Sequence, residues 1–423
     1  MGTCGKACIL ADAARVRRRY HDAMNEGHRV LIVGGGLVGA SLALALDRAG
    51  VSATLVEAAP ASLPEVFDQR NLSFSETTVN ALTALGVMAR LTAPTGAIRR
   101  IHASRRGDFG RVLLDARDYD RDAFGQVVVA RDLGHALEAA LATTGRLQRL
   151  RARVVGVDPV EDGWRPVRVV EAGGERVLRA RLVVAADGTG SRVRQALGIG
   201  ASTHDYGQEL FVARLKAARA PDGTAWERLG DEGPTALLPR GDGAWGLVHG
   251  VDAAQADRVE AMADGEFIAR AQDAFGWRVG RFLEAGPRSR YHAQRVVAQR
   301  TTAARAVLVG NAAQTVHPVG AQGFNLGLRD ALTLAELVAD AADPGSDALL
   351  AAYAARREED RNRTLAFSDG LARLTANRAP LLRPLRSLGL LALDRVPTLQ
   401  ALLAGGAMGY RGDVPALCRG ARA

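Results

Sequence analysis

The sequence has little lysine and few aromatic residues for a chain with a net charge of +9. Lys6 and Lys216 are its only lysines, so all but two of the 55 basic residues are arginine, and aromatic residues make up 5%. A nucleic-acid-binding protein typically clusters its basic residues and interleaves them with aromatic side chains on which bases stack. Because these arginines are spread along the chain, we interpret the charge as a general surface property and expect no nucleic-acid partner.

Cysteine, metal-ligand motifs and long apolar runs are also scarce. Cys4, Cys8 and Cys418 form no even disulfide framework, and the eight histidines show no HxxxH or HExxH pattern. No uncharged apolar run reaches the ~18 residues of a transmembrane helix. At the N-terminus, arginines follow a short apolar patch, which is the reverse of a signal peptide. We therefore predict a cytoplasmic protein without a metal site; attraction to the inner face of an anionic membrane is the alternative.

Two kinds of hydrophobic pattern alternate along the chain. Apolar runs typical of buried parallel strands contrast with segments of alternating apolar and polar residues, which favour an antiparallel sheet. The first kind predicts strands at 29–33, 52–58, 180–188 and 304–311, with a helix after the turn at 34–39 and a long helix from about Gln322. The second kind covers 98–114 and 209–250, and the chain is helical from about residue 346.

These patterns predict an α/β fold with a discontinuous Rossmann-like nucleotide-binding domain, an inserted antiparallel β-sheet domain for the substrate, and a C-terminal helical region. The predicted bounds are 1–28 for an N-terminal extension, 29–96 plus 125–200 plus 291–345 for the nucleotide-binding domain, 97–124 plus 201–290 for the sheet domain, and 346–423 for the helical region.

Residues 34–39 form a GxGxxG pattern between a predicted strand and a predicted helix. Gly34 allows the tight turn, Gly36 lets the backbone approach a pyrophosphate, and Gly39 lets the helix pack closely on the strand. Glu57 ends the next predicted strand and can accept hydrogen bonds from both ribose hydroxyls, which favours FAD or NAD over NADP. The alternative is a structural glycine turn with a chance acidic residue.

Two further turns follow predicted strands. Asp187 and Gly188 open the segment DGTGSRVR, whose alternative interpretation is a turn in which Asp187 caps the next helix. The third turn, GNAAQ at 310–314, precedes HPVGAQGFNLG at 317–327 and the long helix. Its glycines would let main chain lie against a planar ring, and amides at the helix start would bind the negatively charged edge of a reduced flavin. Asn311 would reach the ribityl chain.

In order and spacing, these three motifs resemble the fingerprints of the FAD-dependent aromatic hydroxylases of the p-hydroxybenzoate hydroxylase type. The segment LVGNAAQTVHPVGAQGFNLGLRDA is very similar to the ubiquinone-biosynthesis branch of that family, the 2-polyprenyl-6-methoxyphenol hydroxylases (UbiH type). Further similar segments are DQR at 68–70, FGQVVVARDLGHAL at 124–137, DYGQ at 205–208 and GPTALLP at 233–239. The resemblance extends over about residues 29–409.

The resemblance implies roles for particular residues. Arg70 and Arg131 would hold the pyrophosphate side of FAD with Asp187 near it, Asn311 would bind the ribitol, and Pro318 would lie beside the reacting carbon of the substrate. The other implied cofactor contacts are Gly188, Gln322, Gly323, Asn325 and Leu326.

One departure from the family pattern is that Gly320-Ala321 reverses the usual Ala-Gly order. If Ala321 has a positive φ, the cost is about 1 kcal/mol, and flavin affinity would be weaker.

The resemblance also implies the chemistry, which belongs to the cofactor. NAD(P)H would reduce FAD, O2 would add to form a C4a-hydroperoxide, and its distal oxygen would attack the ring of a polyprenyl phenol in ubiquinone biosynthesis. No side-chain nucleophile is expected. Two alternatives stay open: a hydroxylase of another aromatic or secondary metabolite, and a non-catalytic FAD-binding subunit of a biosynthetic complex.

Several residues keep two interpretations. His317 could act as a base toward the phenol, or it could be packed in its loop and bonded to backbone. Tyr206 and His249 could contact substrate, or they could be ordinary core or surface residues. The C-terminal segment 381–409 alternates apolar runs with arginines. This pattern predicts a helical cap, an interfacial surface through which a polyprenyl tail enters from a membrane or a partner complex, or both.

Overall fold

The computed structural model describes residues 27–58, 70–376 and 383–420, and the strands among them form three sheets. The strands are β1 (Gly27–Val33), β2 (Ala53–Glu57), β3 (Asn71–Ser75), β4 (Gly96–Ile98), β5 (Arg100–Arg105), β6 (Arg111–Asp115), β7 (Gly125–Val129), β8 (Leu147–Arg151), β9 (Arg153–Val157), β10 (Arg165–Glu171), β11 (Gly174–Ala185), β12 (Ala201–Ala217), β13 (Thr224–Leu229), β14 (Pro234–Pro239), β15 (Trp245–Asp252), β16 (Phe282–Ala285), β17 (Ser289–Ala298), β18 (Thr302–Ala303), β19 (Ala306–Leu308) and β20 (Gln314–Thr315).

The helices alternate with these strands and then close the chain. They are α1 (Leu37–Arg48), α2 (Glu76–Ala84), α3 (Ala130–Leu141), α4 (Arg192–Ala196), α5 (Ala256–Glu260), α6 (Asp264–Phe275), α7 (Gly323–Ala339), α8 (Asp347–Ala376), α9 (Arg383–Arg395) and α10 (Pro397–Met408). The predicted N-terminal extension lies outside the described residues except for its last two positions, and so do Asp68 and Gln69 of the DQR segment.

The first sheet has the order β18-β19-β11-β1-β2-β8, and β10 and β9 extend it beside β11. β1 pairs in parallel with β2 and β11 because Val30, Leu31 and Ile32 are apolar and fully buried from both faces. Helices α1, α3 and α7 cover one face. β19 is shorter than the predicted strand at 304–311, since the chain turns through positive φ at Arg305 and at Gly310.

The second sheet is mainly antiparallel, with the order β20-β17-β12-β15-β14-β13-β5-β6 and β16 beside β12. On one face, which we call the outer face, Phe211 and Leu247 pack beneath Phe267 of α6. On the opposite, inner face, a Cβ at Gly246 would lie 2.4 Å from the side chain of Asn71 in β3, so this face is turned toward the small sheet β3-β7-β4.

The C-terminal helices α9 and α10 pack against β6 and the neighbouring edge of the inner face. The Leu113 amide donates to Asp394 at 2.8 Å, and Leu390 joins a core with Val112 and Leu114. Within the described ranges, no single helix is long and apolar enough to cross a membrane. By length and composition, α9 and α10 reach that threshold only as a pair, bent by 82°.

The molecule thus has the α/β architecture predicted from the sequence: a parallel sheet, an antiparallel sheet inserted into it along the chain, and helices at the C-terminus. β17 lies in the antiparallel sheet, whereas the predicted bounds place residues from 291 onward in the nucleotide-binding domain. The bounds themselves stay a prediction.

Candidate active site

The glycine turn between β1 and α1 is shaped by backbone contacts. Gly34 has φ +105, and its amide donates to the Val56 carbonyl at 2.9 Å. A Cβ at Gly39 would lie 1.9 Å from the Gly34 carbonyl oxygen, whereas a Cβ at Gly36 would meet no atom within 4 Å. The first and third glycines are therefore required by packing, and the middle one leaves open space at the N-terminus of α1, where amides and the helix dipole favour phosphate.

Glu57 lies at the end of β2 beside this turn. Its half-buried carboxylate accepts a hydrogen bond from the Gly35 amide. This contact holds the carboxylate next to the mouth of the turn, which is where a ribose attached to the pyrophosphate would lie. The predicted ribose contact remains a prediction.

The second motif forms the capping turn that the sequence left as an alternative. Asp187 accepts hydrogen bonds from the Ser191 hydroxyl at 2.5 Å and from the Val193 amide at 3.1 Å, and Ser191 caps α4 through the Arg194 amide. Gly188 has φ +84 and open space where its Cβ would be. Asp187 therefore fixes the shape of the loop, and we expect any contact with a cofactor to involve the loop's open backbone at Gly188.

The third motif follows β19 as a tight turn held from behind by Asp330 of α7. One oxygen of Asp330 accepts from the Gly310 amide at 3.1 Å and from the Gln314 side-chain amide at 2.6 Å. Asn311 is exposed between them. The turn thus presents Asn311 outward while its two ends are fixed to a buried carboxylate.

Asp330 belongs to a buried ion network. Arg357 of α8 bonds Asp330 at 2.8 Å and Asp360 at 2.7 Å, and Asp360 also binds Arg329 at 2.6 Å. Although burial alone would raise the pKa of Asp360, Arg329 and Arg357 lower it. All four side chains are almost fully buried, so the network holds α8, α7 and the third-motif turn in one arrangement.

The start of α7 carries the reversed Gly-Ala pair. Gly320 has φ +73 and Ala321 has φ +50, so Ala321 does occupy the left-handed region, which costs an L-residue about 1 kcal/mol. Gln322 is buried and donates to the Gly320 carbonyl at 3.1 Å. Gly323 begins the helix, and Leu326 is buried behind it. The first amides of α7 form a helix N-terminus here, and the predicted binding of the flavin's charged edge by these amides stays a prediction.

The side chain of Asn325 is engaged within the protein. Its amide donates to the carbonyls of Ser73 and Ala321 at 2.9 and 3.0 Å, and its oxygen accepts from the Ser75 amide at 3.0 Å and the Thr78 hydroxyl at 2.7 Å. Both donors are used, so this side chain joins β3 and α2 to the start of α7. A contact between Asn325 and a cofactor would have to come from its backbone amide.

His317 lies in the packed environment that was one of its two interpretations. Nδ1 accepts from the Val319 amide at 3.1 Å, which places the proton on Nε2, where it is donated to Gln208 at 3.2 Å. Burial lowers the pKa of His317 to about 4. Because both ring nitrogens are occupied, we do not propose His317 as the base. It positions the loop that exposes Pro318.

Tyr206 lies beside His317, and their ring centroids are 4.8 Å apart. The Tyr206 hydroxyl donates to Asp369 of α8 at 2.9 Å. Burial, followed by this hydrogen bond, raises the pKa of Tyr206 to about 12. The structure therefore brings Tyr206, His317 and Pro318 together at one edge of the inner face.

The prediction for His249 needs correction. His249 lies on the outer face, 2% exposed, with Nδ1 2.9 Å from the Thr235 hydroxyl and its ring against Phe267. Burial lowers its pKa to about 3. The period-2 alternation of β15 directs this ring beneath α6, away from the inner face, so His249 is a core residue.

The two predicted pyrophosphate arginines have other contacts. The Arg70 guanidinium lies 5.6 Å from the centroid of the Tyr291 ring, and Arg131, at the start of α3, pairs with Asp132 at 3.4 Å. Their roles at a pyrophosphate stay predictions.

Sequence reasoning assigned no role to Asp330 or Gln208, although both lie in the segments that carry the resemblance. The available signal for Asp330 was a charged residue on an otherwise apolar helix pattern. For Gln208 no comparable signal existed, because its partner His317 is 109 positions away.

The comparisons with known proteins agree with this geometry. Residues 28–368 match the family model described as "FAD binding domain". The chain is 33% identical over 401 residues to ubiquinone hydroxylase UbiL of Rhodospirillum rubrum, covering 90% of this chain and 89% of that protein. It is 31% identical to 3-demethoxyubiquinol 3-hydroxylase of Escherichia coli, covering 89% of this chain and 97% of that protein.

Solved structures show the same fold. The p-nitrophenol 4-monooxygenase PnpA of Pseudomonas putida has a TM-score of 0.72 at 19% identity, covering 94% of this chain and all of that one. The anhydrotetracycline hydroxylase OxyS of Streptomyces rimosus has a TM-score of 0.68 at 23% identity, covering 91% of this chain and 76% of that one.

Fold and glycine turns together define a flavoprotein of the aromatic hydroxylase class. The chain belongs to the FAD-binding monooxygenase family, within its group of ubiquinone hydroxylases. The residues present fit FAD: the open backbone at Gly36 and Gly188, the carboxylate of Glu57 and the helix end at Gly323 can accommodate the pyrophosphate, the ribose and the flavin edge.

Proposed function

We propose that this protein uses FAD, NAD(P)H and O2 to hydroxylate the ring of a polyprenyl phenol in ubiquinone biosynthesis. The observation that carries the proposal is the third-motif loop, in which the Asp330-held turn, the His317-Gln208 contact and the start of α7 bring an exposed Pro318 next to a helix end suited to a flavin. Its relatives act, by name, on ubiquinone and demethoxyubiquinol.

Bound FAD would supply the redox and oxygen chemistry. The chain's own residues would bind the cofactor, orient the substrate and enclose both. The turn at 34–39 and Gly188 would hold the pyrophosphate, Asn311 the ribitol, and the amides at the start of α7 the charged edge of the ring. The inner face of the antiparallel sheet would cover the substrate ring and keep water away from it.

The test uses FAD-loaded protein, NADPH or NADH, and a short-tailed 2-prenyl-6-methoxyphenol under isotopically labelled O2, with the organic product weighed by mass spectrometry. We expect one labelled oxygen in the ring. NAD(P)H consumption with peroxide as the only product would point to another aromatic substrate. No consumption by protein that retains FAD would point to a non-catalytic subunit.

The long apolar tail of such a substrate suggests a role for α9 and α10. Leu385, Leu388 and Leu402 are 67%, 55% and 66% exposed, and the exposed Arg383 and Arg395 lie on α9 with two of these leucines. Leu390 packs inward, so a change there would damage the core rather than the surface. Exposed leucines flanked by arginines suit the surface of an anionic bilayer.

We therefore propose that α9 and α10 form a peripheral membrane contact through which the tail enters. Replacing Leu385, Leu388 and Leu402 by Asp should abolish flotation with phosphatidylglycerol vesicles. The matched control is Leu283→Asp, a residue 58% exposed on β16. Equal flotation of the triple variant and the wild type would rule out this contact.

A further inference from the structure

One carboxyl group lies alone in an apolar row on the inner face. The strand registers align Val212, Val248, Ala236, Glu227, Ala103 and Val112 across six strands. The residues directly beside Glu227 in this row are Ala236 and Ala103, which are too small to cover its side chain and have no polar side-chain atom to bond it.

The middle of this row borders a hollow. Val112, Val212 and Ala236 are buried, whereas Ala103, Glu227 and Val248 keep part of their surface accessible although each belongs to an interior strand. These partly exposed central-strand residues define the hollow above Glu227, with α9 and α10 packed over one edge of the same face.

The Glu227 side chain is half-buried, and among the described residues none forms a hydrogen bond or ion pair with it. Burial raises the pKa of its carboxyl to about 7, and burial is the only cause of this shift. The charged group that follows along the same face, Arg105 of β5, is ion-paired with Asp231 at 2.5 Å. A carboxyl without hydrogen bonds in such a place is costly for the protein alone and becomes favourable when a ligand donates a hydrogen bond to it.

The row of Glu227 lies on the same face of the sheet as a residue of the candidate flavin site. Gln208, which binds His317, lies on the same face of β12 as Val212, since the two are four residues apart on an alternating strand. Gly246, on this face in β15, packs against Asn71 of β3. The face that carries Glu227 is therefore the face that, at Gln208, contacts His317 next to Pro318.

We propose that Glu227 is the substrate-binding group that accepts the hydrogen bond, and during the reaction the proton, of the substrate's phenolic hydroxyl. The inference rests on the proposed function and names the base that the sequence left unidentified. In the step, the phenol O–H bond breaks, an O–H bond forms on the carboxylate, and the electron pair stays on the phenol oxygen, where it enriches the ring for attack by an electrophilic oxygen. An aromatic acid would be disfavoured in the same hollow because its carboxylate would lie against Glu227.

The test measures binding without turnover, in FAD-loaded, oxidised, full-length protein lacking NAD(P)H. The two probes are 2-prenyl-6-methoxyphenol and the same compound with the hydroxyl replaced by hydrogen, followed through the flavin absorption spectrum. The variants are Glu227→Leu and Glu227→Gln, and the control is Glu284→Gln, an exposed glutamate on β16.

We expect the wild type and E284Q to bind the phenol about tenfold or more tightly than the deoxy compound, as for one hydrogen bond to a charged acceptor. In E227L this ratio should fall to near one while the deoxy compound still binds. In E227Q, which can accept a hydrogen bond but no proton, the ratio should be partly kept. In a separate turnover assay with NAD(P)H and O2, kcat of E227Q should fall more than KM changes.

An unchanged ratio in E227L, or an equal loss of affinity for both probes, would overturn the role of Glu227. If the wild type hydroxylates the phenol while either of these results holds, the inference alone fails. If the wild type neither binds nor hydroxylates the phenol, the proposed function fails and this inference fails with it. FAD content, measured for every variant, separates a folding defect from either result.

Discussion

The glycine turn at the start of α1 and the inner face of the antiparallel sheet obtain their shapes in different ways. The turn lies within residues 34–39, and its geometry is set by the backbone at Gly34 and Gly39. The row around Glu227 draws one residue from each of six strands and depends on register and side chains. The turn has no room for an added carbon atom at Gly39, because a Cβ there would meet the Gly34 carbonyl oxygen.

The largest effect should come from adding a methyl group to the turn. Gly39→Ala would place Cβ 1.9 Å from the Gly34 carbonyl, which is fixed by the β1–β2 pairing, so we expect a loss of about 3 kcal/mol or more in stability. The matched change Gly36→Ala meets no atom and should leave the thermal unfolding temperature unchanged while weakening FAD retention. Equal unfolding temperatures for the two variants would show that packing does not distinguish them.

The buried ion network of α7 and α8 should give an effect of comparable size. Asp330→Asn leaves the Arg357 guanidinium without one of its two carboxylate partners, and removal of one partner of a buried pair typically costs about 3–5 kcal/mol. The control is Glu359→Gln on α8, the helix of Arg357, which breaks an exposed pair with Arg363 worth about 0.5 kcal/mol or less. Denaturant unfolding of both variants measures the difference, and similar losses would contradict the network's importance for the third-motif turn.

The same contrast explains how much could be predicted from the sequence. The turns at 34–39 and 310–314 and the parallel strands could be predicted because each depends on neighbouring residues. Glu227, Asp330 and the Gln208–His317 contact could not, because they depend on strand register and on helices far apart in the chain. His249 was misjudged for a related reason: alternation along β15 puts it on one of two faces, and only the packing of α6 decides which face is covered.

The pH dependence of stability offers an independent measure of the Glu227 environment. Its folded pKa of about 7 lies above the ordinary value of 4.5, so the folded state holds a proton that the unfolded state releases between these pH values. Stability from this group is therefore present below pH 4.5 and lost as pH rises toward about 7. Glu227→Gln removes that loss, so its stability relative to wild type should improve by on the order of 2 kcal/mol between pH 5 and 8.

A difference between Glu227→Gln and wild type that is constant over this pH range would mean that the carboxyl is hydrated in the folded protein. The control is again Glu284→Gln, whose carboxyl is exposed and paired with Lys216. Lysine pairing lowers rather than raises the pKa of Glu284, so the control should not reproduce the gain at high pH. A gain in stability together with a loss of phenol affinity would mark Glu227 as a position kept for binding rather than for folding.

The smallest effect concerns Ala321, an alanine that the third-motif loop holds in the left-handed region. Ala321→Gly should stabilise the protein by about 1 kcal/mol or slightly less, because glycine adopts φ +50 without a steric penalty but loses more chain entropy on folding. Ala354→Gly in α8, half-buried like Ala321 but in an ordinary helical conformation, should destabilise by about 1 kcal/mol. The two substitutions remove the same methyl group, so opposite signs in a thermal unfolding measurement isolate backbone conformation as the cause. If both destabilise, the left-handed conformation at Ala321 is not what limits this loop.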